Sequence, residues 1–271
     1  MSPQMTALAA SARPFQGNHI DSELAKLPEI RRRIRCGDDV VVASDESRNI
    51  GERGCSRNRR TAKHDADQSS AEARQSRRLV IFFHGIRGRG SVMNAIGDSW
   101  KATLPDTEFV SPDAPFAHRS GGRQWFTVDE QVLRPDRIAA ARRAFDDLVA
   151  DIVRQEGFQD ELQNVAFVGV SQGAIMALDA VASGRWKVGA LVSFAGLLPL
   201  PPVTSSSETS VLLMHGGADG TIPPSASVAA EAQLKAAGYD VTYELSPAVG
   251  HTISAEQARQ AASFLRERFA G

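Results

Sequence analysis

Three side-chain types that together perform nucleophilic acyl chemistry stand at the ends of apolar segments in the second part of this chain. The first is Ser171, inside Gly169-Val170-Ser171-Gln172-Gly173. A G-x-S-x-G pattern is short enough to arise by chance, and its setting is what gives it weight. The apolar run Val165 to Val170 leads straight into it, and a helical pattern with Ala174, Ile175, Leu178 and Val181 follows. A strand-to-helix turn this tight brings backbone against backbone. Side chains at its first and last positions would collide, so glycine is required at both. The serine hydroxyl then stands above the C-terminal edge of a sheet, at a helix N-terminus whose N–H groups favour developing negative charge. The bland alternative is a glycine-bounded turn with an inert serine.

A serine hydroxyl needs a base to take its proton, and the base needs an orienting carboxylate. The run Val211 to Met214 ends in His215-Gly216-Gly217-Ala218-Asp219, and the run Val241 to Leu245 is followed by Gly250-His251. Asp219 and His251 therefore fall in loops just past strand C-termini, on the sheet edge that carries Ser171. As alternatives, Asp219 caps the helix that begins near Pro223, and His251 is a plain loop histidine. His84 and His215 stand too close to their own strand ends to reach across and read as structural supports. His118 lies in a loop that can line the pocket, whereas His19 and His64 belong to a polar arm. Asp179, two turns along the helix after Ser171, reads as a surface residue or a packing partner.

An attacked carbonyl becomes an oxyanion that needs preorganised donors. The backbone N–H of Gln172, directly after the serine, supplies one. Ile86, after His84-Gly85 in the loop that follows Leu79 to Phe83, supplies the second. That loop, Gly85-Ile86-Arg87-Gly88-Arg89-Gly90, has the glycine content of a phosphate cradle but lacks the Gly-Lys-Ser/Thr ending of a nucleotide loop.

These groups must be positioned by regular elements. Short apolar runs at Leu79–Phe83, Glu108–Val110, Val165–Val170, Ala190–Phe194, Val211–Met214 and Val241–Leu245 read as buried strands. Helical patterns lie between them: Met93, Ile96, Trp100 and Leu104 share one face. Ile138, Ala141, Phe145, Leu148 and Ile152 share another, after a Pro135 suited to a first turn. Gly184 and Gly238 stop two further helices, begun near Ser171 and Pro223. Ser254 with Gln257 forms a capping box before a last helix that buries Ala258, Ala261 or Ala262, Leu265 and Phe269. Strands alternating with helices predict a mostly parallel sheet in a three-layer α/β sandwich.

Composition divides the 271 residues in two. Residues 1–78 hold 15 Lys/Arg against 11 Asp/Glu, a single aromatic (Phe15) and both cysteines, Cys36 and Cys55. The remainder holds 16 against 21, which makes it acidic and leaves the whole chain at −1. We therefore expect a polar, disordered arm over 1–76 and a catalytic domain over 77–271. Within the arm, Glu23–Ile34 can form a short amphipathic helix and Val40–Val42 an edge strand. Two cysteines in a polar arm exclude a disulfide framework and a cysteine-based metal site, and fit a reducing compartment. No apolar run reaches the roughly 18 residues of a membrane span, and the N-terminus lacks the regions of a secretory signal, so the expected location is cytoplasmic. The near-neutral charge gives no reason to expect nucleic acid as a partner.

Taken in order, six blocks resemble the phospholipase/carboxylesterase family of α/β-hydrolases, the group of acyl-protein thioesterases and small bacterial carboxylesterases. They are His84-Gly85, Ser111-Pro112-Asp113-Ala114-Pro115, Gly122-Arg123-Gln124-Trp125-Phe126, Gly169 to Ala174, His215 to Asp219, and Gly250-His251. The resemblance covers roughly Leu79 to Phe269. It implies a hydrolase without a cap domain and without a cofactor, acting on carboxylic esters or thioesters with short to medium acyl chains. It also implies a triad of Ser171, Asp219 and His251 with oxyanion donors Gln172 and Ile86. Arg87-Gly88 stands where the family usually has Gly-Asp, and Thr127 where it often has Asp. Trp125 and Phe126 either line the acyl groove or pack their loop onto the core. The expected activity is a serine carboxylesterase, working through an acyl-enzyme as a monomer or homodimer on small esters. The alternatives are a thioesterase and a non-catalytic binder built on the same scaffold.

Overall fold

In the computed structural model the described residues are 77–128, 135–204 and 208–270. The helix and strand expected at Glu23–Ile34 and Val40–Val42, like the whole 1–76 arm, lie outside them. The apolar runs form the strands, two of them without change and the other four extended at polar ends that join the ladder. They are β1 (Arg78–Phe83), β2 (Thr107–Val110), β5 (Val165–Val170), β6 (Ala190–Phe194), β7 (Ser210–Gly216) and β8 (Asp240–Ser246). They build one six-stranded sheet in the order β2-β1-β5-β6-β7-β8, and every pairing is parallel. The helices are α1 (Asn94–Trp100), α2 (Pro135–Gln155), α3 (Gln172–Ala182), α4 (Ser225–Ala236) and α5 (Ala255–Phe269).

Alternation along each strand sends successive side chains to opposite faces, which splits the core in two. Leu79, Ile81 and Phe83 of β1 pack with α2, α3 and α4, whereas Val80 and Phe82 pack with α1 and α5. This is the α/β-hydrolase sandwich, with helices on both faces of a buried parallel sheet. The expected helix stops occur in left-handed backbone at Gly184 (φ +74) and Gly238 (φ +92). The Ser254–Gln257 capping box is present in both directions. In α2 the buried stripe runs through Val149, and Leu148 is only half-buried.

A small antiparallel pair, β3 (Phe116–Ala117) with β4 (Arg123–Gln124), was absent from the sequence expectations. Two-residue strands carry no period. This pair is set by its contact with the loop after β1, where Arg87 N–H donates to Arg123 O (2.7 Å) and Arg123 N–H to Gly88 O (2.9 Å). The approach is so close that a Cβ on Gly122 would lie 1.8 Å from Arg87 O.

Candidate active site

Strand order reverses at β1, since the chain steps from β1 outward to β2 and later returns to its other side as β5. At such a switch point the loops after the two strands diverge and leave a crevice at the C-terminal edge of the sheet. The loop after β1 and the turn after β5 face each other there, so close that a Cβ on Gly85 would lie 3.5 Å from Ser171 Cβ.

Ser171 occupies the junction of β5 and α3 with φ +52 and ψ −117, a conformation that side-chain-bearing residues rarely adopt. The turn is pinned by Ser171 N–H to Phe194 O (2.9 Å) and Ile175 N–H to Ser171 O (3.0 Å). The glycine requirement is steric, as expected: a Cβ on Gly169 would lie 2.6 Å from Ala174 N, and one on Gly173 2.1 Å from Phe83 O.

The loop after β8 brings His251 across, so that Ser171 Oγ–H can donate to His251 Nε2 at 2.9 Å. His251 Nδ1–H donates to Asp219 Oδ2 at 2.7 Å. Asp219 is only 7% exposed, so each of its acceptor sites needs a partner. Oδ1 accepts the N–H groups of Thr221 (2.8 Å) and Ile222 (3.0 Å). Oδ2 accepts from His251 and also stands 3.2 Å from His215 Nε2. Burial pushes the Asp219 carboxyl up, but the contacts from His215, His251 and Thr221 N–H outweigh it and hold the group well below the usual carboxylate range. Hence Asp219 is anionic at neutral pH and fixed from both of its oxygens.

On the other side of Ser171, the N–H groups of Gln172 and Ile86 engage no protein acceptor among the described residues. Gln172 N–H belongs to the unpaired first turn of α3, and Ile86 lies in the turn closed by Gly88 N–H to Gly85 O (3.1 Å). Arg87 adopts φ +67 in that turn. An arginine therefore takes the backbone conformation that a glycine would favour, and the loop keeps its form at a cost of about 1 kcal/mol.

The structure buries Trp125 and Phe126, at 1% and 3% exposure, within the core cluster of α2 and α3. Trp125 stacks edge-on against Phe83 and Phe145, and its Nε1–H donates to His84 O (2.8 Å). The pair thus packs its loop onto the core. The Gln172 side chain completes the join, accepting from Trp125 N–H and donating to Phe126 O, both at 2.7 Å. Sequence reasoning gave Gln172 only a backbone role. The side-chain role was signalled by Ser-Gln-Gly and Gln-Trp-Phe occurring in one chain.

His84 is a support, as expected: Nδ1–H donates to Gly85 O (2.7 Å) and Nε2 accepts Ala114 N–H (3.0 Å). Burial pushes its pKa down, against the pull of the Gly85 carbonyl, which keeps the ring neutral. His118 is held in its own hairpin turn, where Nδ1 accepts Ser120 N–H (3.1 Å). Asp113 accepts Gly90 N–H (2.7 Å), tying the block after β2 to the loop after β1. Asp179 is not a surface residue. It is 2% exposed and takes a two-pronged contact from Arg142 (2.9 and 2.7 Å) and one from Arg185 (3.0 Å).

The chain is similar to known proteins in both sequence and fold. The family model described as Phospholipase/Carboxylesterase matches residues 65–268, beginning inside the segment before residue 77. Esterase YpfH of Escherichia coli is 32% identical over 209 residues, which cover 75% of this chain and 88% of that protein. Acyl-protein thioesterase 1 of Gibberella zeae is 26% identical over 220 residues, covering 72% and 92%. Among solved structures, esterase PE8 aligns with a TM-score of 0.64 at 32% identity, covering 70% of this chain and 92% of that one. No helix among the described residues is long and apolar enough to cross a membrane.

Proposed function

The chain belongs to the phospholipase/carboxylesterase family of α/β-hydrolases, and from that premise we propose that it is a serine carboxylesterase with Ser171 as nucleophile, His251 as base and Asp219 as orienting carboxylate. The observation that carries this reading is the unbroken relay from Ser171 Oγ to His251 Nε2 (2.9 Å) and from His251 Nδ1 to Asp219 Oδ2 (2.7 Å). Ser171 Oγ attacks the ester carbonyl carbon as its proton passes to His251 Nε2. The negative charge that gathers on the carbonyl oxygen is met by the N–H groups of Gln172 and Ile86. The tetrahedral adduct collapses, its C–O bond to the alcohol breaks, and the proton on His251 leaves with the alcohol. Water then repeats the sequence on the acyl-serine and frees the acid. Asp219 keeps its charge throughout and stabilises the imidazolium formed in each half-reaction.

The test is labelling by a fluorophosphonate together with turnover of short p-nitrophenyl esters. Both are expected in the parent protein and both should vanish in Ser171→Ala. Labelling that persists in that variant, or a parent protein inert to probe and esters alike, would overturn the assignment. The similarity to an acyl-protein thioesterase favours a second reading of the same site, hydrolysis of thioesters. Matched oxygen and sulfur esters of one acyl chain separate the two by their kcat/KM ratio.

A further inference from the structure

We propose that His215 is a positioning residue for the Asp219 carboxylate, with Ser227 fixing the ring in the tautomer that donates from Nε2. The proposal rests on the reading of Asp219 given above and adds a second imidazole to its site. The placement follows from strand parity: Leu213 of β7 points into the core on the α2–α4 side, so His215, two residues on, points the same way. There it meets Ser227 in the first turn of α4, with Ser227 Oγ 2.7 Å from His215 Nδ1. Its Nε2 lies 2.9 Å from Ile222 O and 3.2 Å from Asp219 Oδ2.

Those partners dictate the proton. A carbonyl and an ionised carboxylate only accept, so Nε2 carries hydrogen, shared between the two. In that tautomer Nδ1 is an acceptor, and the Ser227 hydroxyl, 2.7 Å away, is placed to donate to it. His215 and Asp219 side chains are both fully shut off from solvent, and neither contact is diluted by water. With His215, the two Asp219 oxygens have three N–H donors and a fourth N–H 3.2 Å away, and rotation about the Cβ–Cγ bond disrupts several of these contacts at once. Without it, Oδ2 is held by His251 alone, the group that Asp219 has to orient. An apolar residue would fill the same volume without burying two ring nitrogens, each of which is costly unless paired.

Ser227→Ala is the gentle variant, since alanine suits a helix and the ring stays in place. His215→Gln keeps volume and one N–H donor. In Ser227→Ala we expect kcat on a short ester to fall about threefold to tenfold with KM unchanged and the melting temperature within a few degrees. His215→Gln should lose about 10-fold to 100-fold, the loss seen when residues that orient metal ligands are replaced. Imidazole ¹⁵N spectra of the parent should assign His215 as the Nε2–H tautomer, and the low-field proton between His251 and Asp219 should move in both variants. Folded variants with unchanged kcat and an unmoved low-field proton overturn the proposal, as does a parent spectrum with His215 protonated at Nδ1. Total loss of ester turnover in the parent defeats the esterase reading instead, and the spectra still report on the His215 contact.

Discussion

Asp219 and Asp179 are both carboxylates withdrawn from water, yet they are satisfied by different chemistry. Asp179, between α2 and α3, is met by the guanidinium groups of Arg142 and Arg185, which are never neutral. Arg185 continues to Asp146 (2.8 Å), and Asp146 also accepts Trp186 Nε1–H (2.8 Å). Asp219, at the rim of the sheet, is met by two backbone N–H groups and two imidazoles. Fixed cations make a bolt between helices. Imidazoles make a contact through which a proton can be handed on. A buried acid by itself says little about catalysis, and its donors say more.

The sharpest way to break this contrast is to neutralise each acid without changing its shape. Asp219→Asn should lower kcat by about 10⁴-fold, because an amide favours the wrong His251 tautomer, and should leave the fold intact by circular dichroism. Asp179→Asn should do the reverse. Activity per folded molecule stays within a few-fold, and urea unfolding loses about 3 kcal/mol as part-buried Arg142 loses its counter-charge and Arg185 is left with Asp146. Equal effects of the two variants on kcat would erase the distinction.

A smaller effect comes from the strained backbone at Ser171. Ser171→Gly removes the penalty at φ +52, and a net gain of about 1 kcal/mol in unfolding free energy, with no measurable ester turnover, is expected. Acid titration gives a subtler reading. The Asp219 carboxyl is depressed in the folded state. Its contribution is therefore present above the unfolded value of about 4 and is lost as pH falls through the folded one. The stability difference between the parent and Asp219→Asn should shrink below about pH 4; a difference that widens there contradicts the assignment. The slightest change is Arg87→Gly, where relief of the φ +67 strain and the added freedom of the unfolded chain largely cancel. A gain of about 0.5 kcal/mol by thermal unfolding is expected.

The sheet was legible because β-branched and aromatic runs between helical periods leave few alternatives. All six strands fall where those runs stand, with only their polar ends added. Ser171, Asp219 and His251 were legible as candidates for the same reason, each standing within five residues of a strand end. What the sequence hid depends on meetings between distant loops. Asp179 finds Arg142, 37 positions away, and no period in either helix announces that pair. The burial of Trp125 and Phe126 depends on the Gln172 side chain and the His84 carbonyl. Both bonds belong to tertiary structure, so aromatic content alone left groove and core as equal possibilities. The β3–β4 pair was invisible because its register comes from the loop it presses against.

The relay between Ser171 and His251 bridges 80 positions of chain, and that separation has a consequence during synthesis. A ribosome delivers the hydroxyl well before the imidazole that activates it. Through that interval β8 is not yet available to complete the edge of the sheet, and the serine is an ordinary alcohol. On the proposed roles, nascent protein lacks the pair that would attack an acyl group, and that pair is complete only once the closing strand has docked.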